Sequence, residues 1–373
     1  MDILNVVWFV LIAVLFTGFF ILEGFDYGVG MLLVGKSDSE RSLLIRAIAP
    51  VWDGNEVWMI TAGGALFAAF PHVYATMFST FYLALFLMLL ALILRGVAFE
   101  LRGKYPHSKW RKAWDCAIIF GSTVPALLWG VAVANLIQGL PIDAKMHYLG
   151  NFFDLLSVYT LFAGLAFTLV FLYHGAAFLL LKIGDNRLLL QLKRQALPLG
   201  IIAIVAAATF IIMTALVADL FTHVGSAIPF LVAALCLISS VVSMKKESFK
   251  SAFIFSTLAI AGVTIGVFTT LFPRLMVSSL NSDWSLTIYN AASTSRTLAI
   301  MTAAAAVLVP IVLIYQGMAY RIFKGRDTGK GLSQRARCFS TYSPWLIPDA
   351  WTTDLGGDFT RQRIGFSDSR FLR

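Results

Sequence analysis

Four carboxylates interrupt otherwise apolar stretches near the start of this 373-residue chain: Glu23, Asp26, Asp53 and Glu56. Ionisable groups at membrane depth are costly, so a set this dense marks where function should be sought. The three-residue spacing puts Glu23 and Asp26 on one face of a helix and Asp53 and Glu56 on one face of another. Carboxyl groups that are poorly solvated and crowded by like charge can exchange protons near neutral pH. The chemistry this set predicts is therefore proton uptake and release along an entry path. The structural alternative is that partners such as Arg46 or Arg95 neutralise the acids, which then only join helices.

The elements that must hold these acids are membrane-spanning. Hydrophobic residues make up 59% of the chain and charged residues 13%, and mean hydropathy is +0.81, which describes a polytopic membrane protein and excludes most soluble classes. Apolar runs of the roughly 20 residues a spanning helix needs fall near 5–33, 51–70, 73–99, 114–139, 152–182, 197–220, 228–244, 251–272 and 297–322. Backbone polar groups cannot face lipid unpaired, so the expected class is an all-α helical bundle of nine spans. The first run has no basic segment before it and is longer than a signal-peptide core, which reads as a retained helix.

Charge in the connections sets the expected topology. Lys36, Arg41 and Arg46 follow the first span; Arg102, Lys104, Lys109, Arg111 and Lys112 the third; Lys182, Arg187, Lys193 and Arg194 the fifth; Lys245, Lys246 and Lys250 the seventh. The intervening loops hold only Lys145, Arg274 and Arg296. By the positive-inside rule the N-terminus lies outside and the C-terminus in the cytoplasm, with all four acids toward the cytoplasmic side. The net charge of +9 is then mostly topology. Basic residues scattered over short loops form no stripe for nucleic acid, and none is expected as a partner.

Other chemistry is sparsely represented. Cys116, Cys236 and Cys338 are far apart and form no CxxC or Cys/His cluster, so no metal site is expected. His72, His107, His147 and His223 fall at helix ends or in loops; His174 alone lies well within a span, where the plain reading is a hydrogen bond between helices. No Walker A loop, GxGxxG, GxSxG or HExxH is present, and Gly28-Val29-Gly30 reads as close helix contact.

The acidic segments also carry a resemblance. Ile21-Leu22-Glu23-Gly24-Phe25-Asp26-Tyr27-Gly28-Val29-Gly30, then Ala49-Pro50-Val51-Trp52-Asp53-Gly54-Asn55-Glu56-Val57-Trp58, then Thr61-Ala62-Gly63-Gly64-Ala65-Leu66-Phe67-Ala68-Ala69-Phe70-Pro71 resemble subunit II of the cytochrome bd-type quinol oxidases. Further matches are Arg95 with Phe99-Glu100-Leu101-Arg102, Gly150-Asn151-Phe152-Phe153 and Leu271-Phe272-Pro273. The similarity covers roughly residues 1–326.

The resemblance implies a subunit of a terminal oxidase of a bacterial-type inner membrane, oxidising quinol and reducing dioxygen to water. It implies that subunit I carries the haems, of b and d types, and the quinol site. Subunit II then binds no haem, and some members hold a structural quinone. The implied fold is two four-helix bundles plus one peripheral helix, paired with subunit I as a pseudo-symmetric heterodimer in lipid, with room for a small single-span subunit. Carried over by position, Trp52 and Asp53 match a WDG motif whose acid is assigned to a cytoplasmic proton path. Asp26 matches the second acid of a GFDxG motif, and Glu23 an acidic position. Glu56 stands where some members have glutamine. Arg95 and Glu100 match charged positions at the cytoplasmic end of the third span, where the arginine is placed to pair with Asp53. The chain is expected to divide into a membrane domain, 1–326, and a polar cytoplasmic tail, 327–373, of flexible composition. Competing expectations from other classes are a proton-coupled secondary transporter, for which the acids crowd one side too closely, and a purely structural membrane subunit.

Overall fold

The computed structural model describes residues 3–217, 224–323 and 325–326. The expected tail, 327–373, lies outside the described residues, as do Cys338 and His223. Eleven α-helices run in chain order: α1 (Ile3–Met31), α2 (Asp38–Ile48), α3 (Trp52–Ala69), α4 (Pro71–Thr80), α5 (Tyr82–Leu101), α6 (Ser108–Gln138), α7 (Val158–Lys182), α8 (Asn186–Val217), α9 (Val224–Lys245), α10 (Phe249–Leu271) and α11 (Ser295–Ile322). Among the described residues eight of these are long and apolar enough to cross a membrane: α1, α5, α6, α7, α8, α9, α10 and α11. The second expected span is α3, whose 18 residues begin with the polar set Trp52, Asp53, Asn55 and Glu56, and it is not among the eight.

Three local features differ from the sequence expectation. The run 73–99 is not one helix. It is α4 followed by α5 with a one-residue break at Phe81, and the apolar composition continues through the break without a signal. The run 152–182 opens with a short 3-10 turn at Phe152–Leu155, and its long helix starts only at Val158, where Ser157 caps it. Between the first two spans lies α2, which apolarity could not reveal. Its capping box was nonetheless written in the sequence: the Ser37 backbone N–H and hydroxyl donate to Glu40, and the Glu40 backbone N–H donates back to Ser37 Oγ. The Ser37 donors hold the Glu40 carboxyl below the usual carboxylate range.

The first helix is central, packing against α3, α6, α7 and α10. In hydrocarbon, helices gain little from apolar burial and associate where small residues let backbones approach. A side-chain carbon on Gly28 would lie 2.1 Å from the Phe171 carbonyl oxygen and 2.8 Å from Gly175 Cα, so α1 and α7 cross in backbone contact there. Gly130 of α6 meets Gly164 of α7 in the same way. The expectation that Gly28 and Gly30 serve close packing agrees with this, since a Cβ on Gly30 would strike Ser122 Oγ at 2.0 Å.

The end of the molecule that carries the basic loops is tied by ions. Asp115 at the start of α6 is 1% exposed and accepts from Arg41 at 2.8 Å and Arg102 at 2.6 Å. Asp38 on α2 accepts from Arg102 and Arg111, each at 2.7 Å. The opposite end is closed by loop contacts and a small antiparallel pair, β1 (Arg274–Met276) with β2 (Leu286–Thr287). There the buried Asn5 side chain donates to Ile288 O at 2.7 Å, joining the start of α1 to this cap. The last helix, α11, packs least, with 6% of its most apolar stretch buried.

Candidate functional site

Near its C-terminal end α1 brings Glu23 and Asp26 fully inside the protein, both at 0% exposure. Across from them, α3 carries Asn55 and Glu56 in its first turns, and α5 delivers Arg95, also at 0% exposure. Arg95 Nη1 donates to Glu23 Oε1 and, at 3.1 Å, to Glu56 Oε1. The guanidinium is further held over the Tyr27 ring, 4.9 Å from its centroid, and over the Phe99 ring at 5.4 Å. Asn55 Nδ2 donates to Asp26 Oδ2 at 2.7 Å. Three helices thus bring together three acids, one arginine and one amide.

Arg95 was expected opposite Asp53, and the structure corrects this: its partners are Glu23 and Glu56. Depth explains the choice. Arg95 lies six residues, about 9 Å, from the end of α5, whereas Asp53 is the second residue of α3, about 1.5 Å from its start. Glu56 is one turn deeper and meets the arginine. Asp53 is exposed at the rim of the cluster. Trp52 is half-buried and packs on Phe99 with ring centroids 4.9 Å apart, which supports the face of α5 that carries Arg95. Glu100 is half-buried near the end of α5 and joins none of these bonds.

Part of the buried polar surface is left without a protein partner. Glu23 Oε2, Asp26 Oδ1, and Arg95 Nε and Nη2 make no hydrogen bond within the described residues, and neither does Ser122 Oγ. Buried polar groups are normally paired, often by ordered water.

Four contributors escaped the sequence reading. Asn55 lies inside the acidic motif but was overlooked because an amide carries no charge. Gln316 and Tyr320 on α11 reach it, and Trp58 reaches Gln316. Their signal was available: Gln316 and Tyr320 are polar groups four residues apart near the end of an otherwise apolar span, hence on one face.

His174 is fully buried, and both ring nitrogens are engaged, Nδ1 with Ser256 Oγ at 2.7 Å and Nε2 with the Ile21 carbonyl at 3.2 Å; its ring stacks on Phe253. It therefore joins α1, α7 and α10 by hydrogen bonds between helices, in agreement with the sequence expectation. His72, His107 and His147 are exposed. Among the described residues no three His, Cys, Asp or Glu side chains gather as metal ligands; within the acid cluster the positive charge is that of Arg95. Separately, a small, partly open apolar recess lies between α1, α7, α8, α9 and α10, lined by Phe20, Phe167, Phe171, Phe210 and Ile260, with Thr264 as its polar member.

Comparison with known proteins gives one consistent answer. The family model described as cytochrome bd terminal oxidase subunit II matches residues 4–323. The chain is 42% identical to the cytochrome bd ubiquinol oxidase subunit 2 of Bacillus subtilis (strain 168), over 88% of this chain and 98% of that one. It is 36% identical to the cytochrome bd-I ubiquinol oxidase subunit 2 of Escherichia coli (strain K12), over 89% and 97% respectively. Among solved structures, a chain of the bd oxidase from Geobacillus thermodenitrificans superposes with a TM-score of 0.69 at 17% identity, covering 86% of this chain and 98% of that one. That last likeness concerns the fold.

Proposed function

The chain belongs to the family of cytochrome bd terminal oxidase subunit II, and from that premise we propose that within a quinol oxidase it delivers protons from the cytoplasmic side toward the oxygen-reducing site of its partner subunit. The observation that carries this reading is the graded burial of its acids. Asp53 is exposed at the rim, the Glu56 side chain is 19% exposed, and Glu23 and Asp26 are sealed inside.

In this reading Asp53 collects protons at the mouth and Glu56 passes them inward. Arg95 holds Glu56 and Glu23 within reach of one cation, which keeps two carboxylates from repelling each other apart. Glu23 Oε2 and Asp26 Oδ1, which have no protein partner, are the atoms that take up and release the proton. Trp52 fixes the helix face behind them, and Glu100 adds negative potential beside the mouth. Reduction of dioxygen to water consumes protons and oxidation of quinol releases them. Drawing the first from one side and releasing the second on the other moves charge across the membrane without a pump.

The family places b- and d-type haems on subunit I, and the engaged His174 in this chain accords with that division. The partner is then the haem-bearing subunit I, in a pseudo-symmetric heterodimer that leaves room for a small single-span subunit. Quinol and dioxygen are substrates of the complex. We count α3 as a ninth span, since it follows α2 and carries the mouth of the path, and we assign α11, the least buried, as the helix peripheral to two four-helix bundles. Lys36, Arg41, Arg102, Lys104 and Arg111 at the end of the molecule that holds Asp53 support a cytoplasmic mouth and an external N-terminus in an inner membrane.

The test is purification through a tag on this chain, followed by a reduced-minus-oxidised visible spectrum and quinol-dependent oxygen consumption. Haem bands of b and d types with oxygen uptake are expected. A folded, colourless and inactive preparation would refute the oxidase reading.

A further inference from the structure

Asp26 Oδ2 accepts from Asn55 Nδ2, and what holds that amide in this sense comes from α11. The indole N–H of Trp58 can only donate, and it reaches Gln316 Oε1 at 2.8 Å. Gln316 must then present Nε2, which lies 3.4 Å from Asn55 Oδ1. The Tyr320 hydroxyl donates to the same oxygen at 2.8 Å. With Oδ1 occupied twice from α11, the fully buried Asn55 turns its N–H toward Asp26. A donor-only group at one end thus sets the polarity of a chain that ends on a buried acid 32 residues earlier in sequence. Gly18 leaves the space for it, because a Cβ there would lie 2.2 Å from the Trp58 ring.

We propose that Gln316 and Tyr320 are positioning residues for Asp26, locking the Asn55 amide so that proton exchange is confined to Asp26 Oδ1. This rests on the proton-delivery reading above. Were the amide free to turn, its oxygen would face the carboxyl. Two acceptors in contact are tolerated only when a proton lies between them, so the turned amide traps a proton on Oδ2. The other charged or titratable groups facing Asp26 are Glu23 on its own helix, Glu56 on α3, Arg95 on α5 and Tyr320 itself. None of these sets the direction of the Asn55 amide except Tyr320.

The experiment uses the assembled complex with Tyr320→Phe, Gln316→Met and the pair, beside Asp26→Asn as reference. Tyr320→Phe removes one oxygen and leaves the packing of α11 otherwise intact. The expected result is full haem content and oxygen consumption lowered by a factor of about 2 to 10 for the single variants, the span of one ordinary hydrogen bond. The acid limb of the pH profile should move to higher pH, because a trapped proton is released only there; a merely structural contact would leave that limb in place. Wild-type rate and pH profile in both single variants and in the pair, with Asp26→Asn slow, would overturn the positioning role while leaving proton delivery intact. Wild-type turnover in Asp26→Asn would instead remove the reading on which the inference rests. Loss of haem in Tyr320→Phe would assign the chain of bonds to assembly and would likewise overturn the inference.

Discussion

Arg95→Leu is expected to abolish accumulation of the haem-bearing complex. Arg95 is fully buried and is the shared partner of Glu23 and Glu56. Removing one member of a buried ion set leaves uncompensated charge in a medium that cannot solvate it, at a cost of about 3–5 kcal/mol. That approaches the whole stability of many domains. The guanidinium also packs on Tyr27 and Phe99, contacts that leucine fills only in part. Arg95→Lys should be intermediate, since it keeps the charge but reaches the two carboxylates without the planar fork. The distinguishing variant is the double, Arg95→Leu with Glu23→Gln. If uncompensated charge is the cause, the second change recovers part of the yield and thermal midpoint lost to the first. Equal yields for wild type and Arg95→Leu, read from the haem spectrum after detergent extraction, would show that the ion set carries no such weight.

Gly28→Val should be nearly as damaging by a different route. The crossing of α1 and α7 has no room for any side chain at that position: the atoms met by an added Cβ are the Phe171 carbonyl and the Gly175 backbone. Backbone cannot rotate away as a side chain can, so the helices must separate. The cost lies at or above the upper end of the about 1–3 kcal/mol of ordinary overpacking. Separation would also pull Glu23 and Asp26, on the same helix, out of register with Arg95. Gly103→Ala is the matched control, because a Cβ there meets nothing within 4 Å. A lowered melting temperature and poor yield for Gly28→Val, with neither in Gly103→Ala, is the expected outcome. Unchanged behaviour of Gly28→Val would mean that the close crossing does not hold the two helices together.

What the sequence disclosed follows from what composition records. A spanning helix needs a long apolar run, and such runs mark the eight long apolar helices among the described residues, whereas the run 51–70 is α3, which is not one of the eight. Where they stop being one helix is not a compositional matter. The break at Phe81 leaves the apolarity of the run unchanged, so 73–99 read as one unit. The short α2 has the opposite character, its charged residues hiding it from any search for apolar runs, although Ser37 and Glu40 announce its start. In the site, the acids stood out because charge is rare in lipid, and the three-residue spacing correctly put Glu23 beside Asp26. The partner of Arg95 was misjudged because depth along α5 and α3, not proximity in a motif, decides which acid it meets. Asn55, Gln316 and Tyr320 went unread because neutral polar groups acquire their meaning only when three helices converge.

If the graded acids conduct protons, Asp53 is the member at which the path can be interrupted without disturbing the buried ion set. It is exposed and shares none of the Arg95 bonds, so Asp53→Asn should leave folding and assembly untouched. The measurement is quinol-dependent oxygen consumption per haem in the purified Asp53→Asn complex. Wild-type haem bands are expected with turnover reduced about tenfold, equivalent to about 1.4 kcal/mol on the rate-limiting barrier. Wild-type turnover per haem would contradict proton entry at Asp53.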